Sequence, residues 1–185
     1  DGDPAVAHLF WSPGDFSLAR ERLKEQPEAR QLAEKARTDA LSALVETPGC
    51  RRAILLRHFG EDPPAQCGNC DNCLDAPSVV DATEVAQKLL SAVYRTGPRF
   101  GAVHVIDVLR GKDTERVHRW DHQQLGVFGI GADLDETAWR DVFRQLVALG
   151  FVNVDHTAFG ALRLTPASRA VLKGEQNVQM RRTVK

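Results

Sequence analysis

The chain has 185 residues, a formal net charge of −1 and 26% charged residues, which is ordinary for a globular protein of one or two small domains. No apolar run approaches the ~18 residues of a membrane span, and no signal-peptide pattern opens the sequence. Met180 is the only methionine, so Asp1 is not a natural start and we expect a piece of a longer protein. The basic residues gather between Arg95 and Arg119 and after Arg144, where a local basic face can bind phosphate despite the near-zero net charge.

The first third of the chain predicts a short strand followed by three helices. The strand covers Ala7–Trp11, and Asp15 is expected to cap a helix over Phe16–Gln26. Pro27 restarts a helix that runs to about Glu46, with apolar positions at helical spacing. A third helix is predicted over Cys50–Phe59, with three apolar residues facing inward: Ile54, Leu55 and Phe59.

All four cysteines fall in one segment, as Cys50 followed by Cys67, Cys70 and Cys73. The spacing C-x16-C-x2-C-x2-C lets four thiolates close a tetrahedron around one metal ion, which suits a structural zinc site. Thr47 is expected to cap the third helix, and this places Cys50 in the first turn, where the helix dipole favours a thiolate. Iron–sulfur ligation and disulfides are the alternatives that the pattern leaves open.

The rest of the chain predicts helices, a β-hairpin and a tail. Helices are expected at residues 81–96, 102–109 and 135–150, strands at 151–154 and 161–164, and a last helix from 165 to about 173. Residues 112–131 are predicted to form a loop with apolar anchors, and 176–185 a loose basic tail. Trp139 belongs to the apolar stripe of its helix and is expected in the core. Three helices followed by a hairpin is the order of a winged helix, so the predicted fold class is mainly α with a small β-hairpin.

The residues around the cysteines carry a family resemblance. Cys50-Arg-Arg-Ala-Ile-Leu-Leu-Arg-His-Phe-Gly60 is followed by Cys67-Gly-Asn-Cys-Asp-Asn-Cys73-Leu-Asp. This resembles the zinc-binding segment of RecQ-family DNA helicases. Four later stretches resemble the winged helix of the same family: Arg99-Phe-Gly101, Val108-Leu-Arg-Gly111, Phe128-Gly-Ile-Gly131 and Trp139-Arg-Asp-Val-Phe-Arg-Gln-Leu146.

The resemblance implies the C-terminal region of an ATP-dependent 3′–5′ DNA helicase of repair and recombination, found in the bacterial cytoplasm with the nucleoid. It implies a motor-domain stub at 1–14, a helical zinc-binding domain at 15–76, a winged-helix DNA-binding domain at 77–174 and a linker or tail at 175–185. One structural Zn²⁺ is expected, with ATP and Mg²⁺ only in the missing motor domains. The expected partners are double-stranded and forked or junction DNA, the motor domains of the parent chain and a single-strand DNA-binding protein, and no membrane.

Most DNA contacts should go to phosphate, because a helicase must accept any sequence. The candidate DNA-binding residues are the basic residues of the winged helix and two residues at the wing tip: Arg110, Lys112, Arg116, Arg119, Arg140, Arg144, His156 and Phe159. Phe159 could stack on an unpaired base, or its ring could fold back onto the core. The chain contains no G-x-x-x-x-G-K-[ST] loop, so no catalytic residue is assigned and no ATP hydrolysis is expected from this piece.

Two functions from other classes compete with this hypothesis. A winged-helix transcription regulator with a zinc or iron–sulfur sensor site would use the same elements, but it would need a dimer to match a palindromic operator. The second competing function is that of a winged helix that binds a protein partner and has no role on DNA.

Overall fold

The computed structural model describes residues 5–23 and 25–182. The chain forms two compact units, Asp1–Asp39 and Ala40–Lys185, and the boundary between them falls inside the second helix. Within the described ranges, no helix has the length and apolar character needed to cross a membrane.

The elements follow the predicted order. Helices α1 to α4 cover Pro13–Leu23, Glu28–Glu46, Arg51–His58 and Asp71–Leu74. Helices α5 to α9 cover Thr83–Thr96, Ala102–Leu109, Glu115–Arg119, Glu136–Ala148 and Ser168–Leu172. Strands β1 to β4 cover Val79–Asp81, Val152–Asp155, Ala161–Leu164 and Gln179–Arg181. The predicted fold class is confirmed: the chain is mainly α-helical, with a helical cysteine-bearing platform followed by a winged helix.

The core of the winged helix lies between α5, α6, α8 and the β2–β3 hairpin. Its largest fully buried side chains include Leu89, Leu90, Ile106, Leu146 and Leu162. Trp139 is fully buried, as predicted, and its indole Nε1 donates to the carbonyl of Gly131 at 2.8 Å. A side chain at Gly131 would collide with that ring, which explains glycine there. Asp135 caps α8 as predicted, accepting from the N–H of Ala138 at 2.7 Å.

The wing is the antiparallel hairpin β2–β3, with Val152 paired to Leu164 and Asp155 paired to Ala161. It is fastened to the segment before α6, because the N–H of Leu162 donates to the carbonyl of Phe100 at 2.9 Å. A Cβ at Gly101 would lie 3.2 Å from the carbonyl oxygen of Gly160, so the wing tip and the start of α6 are in close contact.

Residues 179–181 of the predicted loose tail form a strand, and residues 183–185 of that tail lie outside the described part of the structure. Strand β4 pairs with β1, with Val80 opposite Met180. Val178 and Met180 are 1% and 3% exposed, so alternate residues of this segment enter the core. The prediction of a loose tail is therefore wrong for residues 179–181. Two buried residues at a period of two are too short a pattern to predict a strand.

The N-terminal strand prediction is also wrong, because residues 7–11 have no regular structure. The helix predicted from Phe16 begins earlier, at Pro13, and ends at Leu23. The loop predicted at 112–131 contains α7, whose N-cap Thr114 accepts from the N–H of Val117.

The predicted start and inner face of α3 also need correction. Its N-cap is Cys50 rather than Thr47, whose hydroxyl accepts from the N–H of Gly49 instead. Leu55 and Phe59 were predicted to face inward, but they are 45% and 72% exposed. The apolar residues of so short a helix do not by themselves say which face is covered.

Candidate metal centre and nucleic-acid interface

The four cysteines converge at one point. Their sulfurs all lie within 4.8 Å of one another, and the Cys67–Cys73 and Cys50–Cys70 Sγ pairs are 4.0 Å apart. A zinc ion with Zn–S bonds of ≈ 2.3 Å in a tetrahedron sets its sulfurs about 3.8 Å apart. All four are free thiols rather than disulfides. In an iron–sulfur cluster the cluster's own atoms separate the cysteine sulfurs, so the short distances here favour a single ion.

Backbone N–H groups point at these sulfurs. Cys50 accepts from the N–H of Ala53 at 3.4 Å, because as N-cap its side chain turns back over the first turn of α3. Cys67 accepts from the N–H groups of Asn69 and Cys70 at 3.4 and 3.3 Å, in a tight turn of the kind that zinc knuckles use. Such donors stabilise thiolates, which are the form that binds a metal.

The pKa values of the thiols follow from these contacts. The N–H of Asn69 lowers the pKa of Cys67. For Cys70, burial raises the pKa, but hydrogen bonds, first that from the N–H of Arg51, outweigh it and lower the pKa to about 6. Backbone donors also favour the Cys73 thiolate, yet burial and the neighbouring sulfurs outweigh them and raise its pKa. A divalent cation bound among the sulfurs would offset the negative charge of four neighbouring thiolates, which otherwise keeps all four from ionising together.

A second layer of polar contacts fixes the cysteine loop. The Asn72 side chain is buried and donates to the carbonyls of Thr47 and Gly49, at 2.9 and 2.8 Å, next to Cys50 in the sequence. Nε of Arg51 donates to both carboxylate oxygens of Asp71, at 2.7 and 2.9 Å, and this lowers the pKa of that carboxyl. The Nη1 of the same arginine donates to a carbonyl near the end of α2 at 2.7 Å. The loop and the two helices thus form one hydrogen-bonded unit.

Three of the predicted DNA-binding residues come together around one carboxylate. Lys112 lies 3.1 Å from Glu136 and 3.2 Å from Asp107, Arg140 lies 2.8 Å from Glu136, and Arg110 lies 3.6 Å from Glu136. Hydrogen bonds, first from Arg140 and then from Lys112, lower the pKa of Glu136 to about 2. These three cations are brought together, but they carry carboxylate partners that a phosphate would have to replace.

Two more predicted residues also have acidic partners. Arg144 lies 2.9 Å from Glu46 and also pairs with Asp141, and its side chain is only 21% exposed. Arg119 pairs with Glu115 at 3.0 Å, and both side chains are largely exposed. Exposed pairs of this kind are weak, so Arg119 is available to other anions in a way that Arg144 is not.

Arg116 differs from the others because it lies against an aromatic ring. Its guanidinium carbon is 5.7 Å from the centre of the Phe100 ring, and no carboxylate of the described residues lies within ion-pair distance. The Phe100 ring stacks on His104 at 4.3 Å and meets His122 edge-on at 4.7 Å. Trp120 meets the same ring edge-on at 5.4 Å.

The wing tip presents Phe159 to solvent. Its side chain is fully exposed, and its φ of 53° places the backbone in the left-handed region that L-residues rarely adopt. Asp155 holds the turn by accepting from the N–H of Thr157 at 3.0 Å, and it also pairs with Arg163 at 2.8 Å. The other predicted tip residue is His156, whose side chain lies outside the described part of the structure.

Sequence reasoning did not select Trp120, whose ring meets the same Phe100 ring as Arg116, or Arg99, the exposed residue that precedes Phe100 in the sequence. The available signal was the spacing of Arg116 and Trp120, four residues apart, which places two side chains on one face of a helix. It was missed because this segment was assigned to a loop.

Comparison with known proteins agrees with this architecture. The family model described as RecQ zinc-binding matches residues 13–74, and the model described as RQC domain matches residues 76–185. The chain is 41% identical over 182 residues to the ATP-dependent DNA helicase RecQ of Pasteurella multocida, and 28% identical over 186 residues to that of Bacillus subtilis. The alignments cover 97% and 100% of the chain, but only 29% and 32% of those helicases.

A further relative has a longer chain. The mouse bifunctional 3′-5′ exonuclease/ATP-dependent helicase WRN is 31% identical over 173 residues, which cover 82% of the chain and 12% of that protein. The chain therefore corresponds to a limited portion of each of these relatives.

Proposed function

Because the chain belongs to the RecQ family of helicases, we propose that it is the region of such an enzyme that holds duplex and forked or junction DNA beside the motor domains. The observation that carries the proposal is the RQC match over residues 76–185, a region in which Arg116 and Phe159 are exposed. The parent protein would be an ATP-dependent 3′–5′ DNA helicase of repair and recombination, with ATP and Mg²⁺ bound in its motor domains.

The proposed domain organisation is a zinc-binding domain at 15–76 followed by a winged-helix domain. The matched ranges support a boundary near residue 75, and the pairing of β1 with β4 supports extending the winged helix to about residue 182. A contact with a single-strand DNA-binding protein stays a prediction.

The four cysteines would hold one Zn²⁺ in a structural role. Four thiolates complete a tetrahedron and leave no position open for substrate, so the ion supplies stability rather than chemistry. The cysteines bring the loop at 67–73 to the start of α3, and Asn72 and Arg51 position that loop.

The DNA contacts would be of two kinds, with basic residues binding phosphate and the wing tip stacking on a base. The eight predicted residues remain candidates, and the acidic partners of Arg110, Lys112, Arg140 and Arg144 rank them below Arg116. Arg116 keeps its charge free of carboxylate partners in the described part of the chain. Phe159 would stack on a base that the fork leaves unpaired, because its fully exposed ring offers a face on which any base can stack.

The test compares blunt and forked duplexes of unrelated sequence across a salt series. Phe159→Ala should weaken binding to the fork by about 1–3 kcal/mol and leave the blunt duplex unchanged. Both DNAs should bind more weakly as salt rises, because phosphate contacts release counterions. A strong preference for one duplex sequence would instead indicate a transcription regulator, and equal losses on both DNAs would make the wing a general phosphate contact.

A further inference from the structure

The ring of Phe100 is the centre of a cluster at the base of the wing. Arg116 and Trp120 are four residues apart on α7 and its C-cap, so they lie on one face and both contact this ring. The carbonyl of Phe100 accepts from Leu162 in β3, so the cluster and the wing are joined through one residue. Trp120 is 45% exposed, while Phe100 beneath it is 3% exposed.

Two arginines, Arg116 on the Phe100 ring and Arg99 next to Phe100 in the sequence, are free to bind an anion. Arg99 and Arg116 are both exposed, and no carboxylate in the described part of the chain lies within ion-pair distance of either. This distinguishes them from Arg110, Lys112 and Arg140, which surround Glu136. The free positive charge of the winged helix therefore includes the flanks of the aromatic cluster.

The base of the cluster is rigid and uncharged. His104 and His122 are buried and share a hydrogen bond of 2.7 Å between Nε2 and Nδ1, and both touch the Phe100 ring. Burial lowers the pKa of both histidines, so the pair is neutral near pH 7 and does not repel Arg116. Trp120 lies edge-on against this buried base and keeps 45% of its surface exposed to a ligand.

We propose that Trp120, Arg116 and Arg99 form a binding site for single-stranded nucleic acid at the base of the wing, separate from the tip. An exposed aromatic ring beside unpaired arginines is the combination that binds single strands without regard to sequence, since every base has a face to stack and every nucleotide a phosphate. Trp120 would stack a base, and the two arginines would hold the flanking phosphates.

The location suits one arm of an opened fork. Gly160, next to the tip residue Phe159, touches Gly101, and Gly101 adjoins Phe100 in the sequence. A strand that has parted from its partner at the tip would meet Trp120 next along this surface. The inference rests on the proposed function, because it needs DNA at the wing.

The test is a titration of the zinc-loaded protein with oligothymidylate and with a blunt duplex. Trp120→Ala should weaken oligothymidylate binding by about tenfold or more and leave the blunt duplex within about twofold. Oligothymidylate stacked on Trp120 should quench tryptophan fluorescence. Trp120→Phe should keep binding within about threefold, because it keeps a ring, but should abolish that quenching. Tyr94→Ala is the matched control, since Tyr94 is an exposed ring of the same domain without a contact to Phe100.

The role of the arginines in binding phosphate is tested separately. Arg99→Gln should reduce the salt slope for oligothymidylate by about 0.7, which is one phosphate on a single strand. Wild-type protein that binds duplex but not oligothymidylate would overturn the inference and leave the proposed function intact. Equal losses for Trp120→Ala on both DNAs, or no loss on either, would also overturn it. Failure of the wild type to bind any DNA would reject the proposed function, and the inference with it.

Discussion

Nε of Arg144 on α8 donates to Oε1 of Glu46 at 2.9 Å, so an arginine that the sequence predicts to contact DNA pairs with the end of α2 in the protein alone. The Glu46 side chain is 11% exposed. Nearby, Arg181 of β4 donates to the carbonyl of Val45 at 3.1 Å, and Gln145 bonds both backbone groups of Arg181. These contacts join the winged helix to the helix that precedes the cysteines.

We expect Arg144→Ala to destabilise the protein by on the order of 1–3 kcal/mol, because Glu46 would lose a charged partner while partly buried. Urea denaturation at constant zinc measures this, with Arg37→Ala, an exposed arginine paired with Glu34, as the control. The salt slope of DNA binding should not change. A salt slope reduced by one phosphate with unchanged stability would show that Arg144 contacts DNA and that its ion pair adds little to the fold.

Cys70→Ser should lose the metal and several kcal/mol of stability, because structural zinc contributes roughly 10–16 kcal/mol in isolated finger domains. Elemental analysis of the wild type should give one zinc per chain. A chelator should lower the melting temperature of the wild type and have no further effect on the variant. Iron with a visible absorbance band, or a melting temperature that the chelator leaves unchanged, would contradict the assignment.

Arg116→Ala should weaken duplex binding to the same extent on unrelated sequences and reduce the salt slope by about 0.9, the share of one phosphate. The reason is that its guanidinium has only the Phe100 face as a partner among the described residues. Fluorescence anisotropy at several salt concentrations measures both quantities. A loss confined to one sequence would indicate contact with a base rather than with phosphate.

Met180→Ala should destabilise the protein by about 2–5 kcal/mol, the usual cost of a buried methionine, because Met180 is 3% exposed. Gln179→Ala is the control, since Gln179 is exposed on the same strand. Thermal denaturation compares the two. Similar melting temperatures would mean that β4 adds little to the core.

Acid should destabilise the winged helix through its histidine pair. The pKa of His104 is lowered to about 4 by burial first, and then by the charges of His122 and Arg116. Unfolded histidines bind protons near pH ~6.5. As pH falls from about 6.5 to 4, the unfolded state therefore binds more protons than the folded state, and the free energy of unfolding decreases.

The effect of the His104 shift should be on the order of 1–3 kcal/mol at the acid end of this window. His104→Gln should flatten the profile of unfolding free energy between pH 7 and 5, while His118→Gln, an exposed histidine, serves as the control. An unchanged slope in His104→Gln would assign the acid sensitivity to other groups.

Short-range chemistry made much of the protein predictable from sequence. The cysteine spacing predicted a single tetrahedral site, because cysteines three residues apart in tight turns can bring their sulfurs to one point. The Asp135 cap and the apolar stripe around Trp139 predicted α8 and its buried face, because both depend on helical periodicity. The order of helices and hairpin then predicted a winged helix.

Contacts between distant residues were decided only by the tertiary structure. Arginines at 110, 116, 140 and 144 look alike in sequence, but Glu136, Phe100 and Glu46 give them different partners. Strand β4 forms because it pairs with β1, which lies about 100 residues earlier in the chain. The sequence thus determined which residues can bind metal or phosphate, and the packing determined which of them keep their charge free to do so.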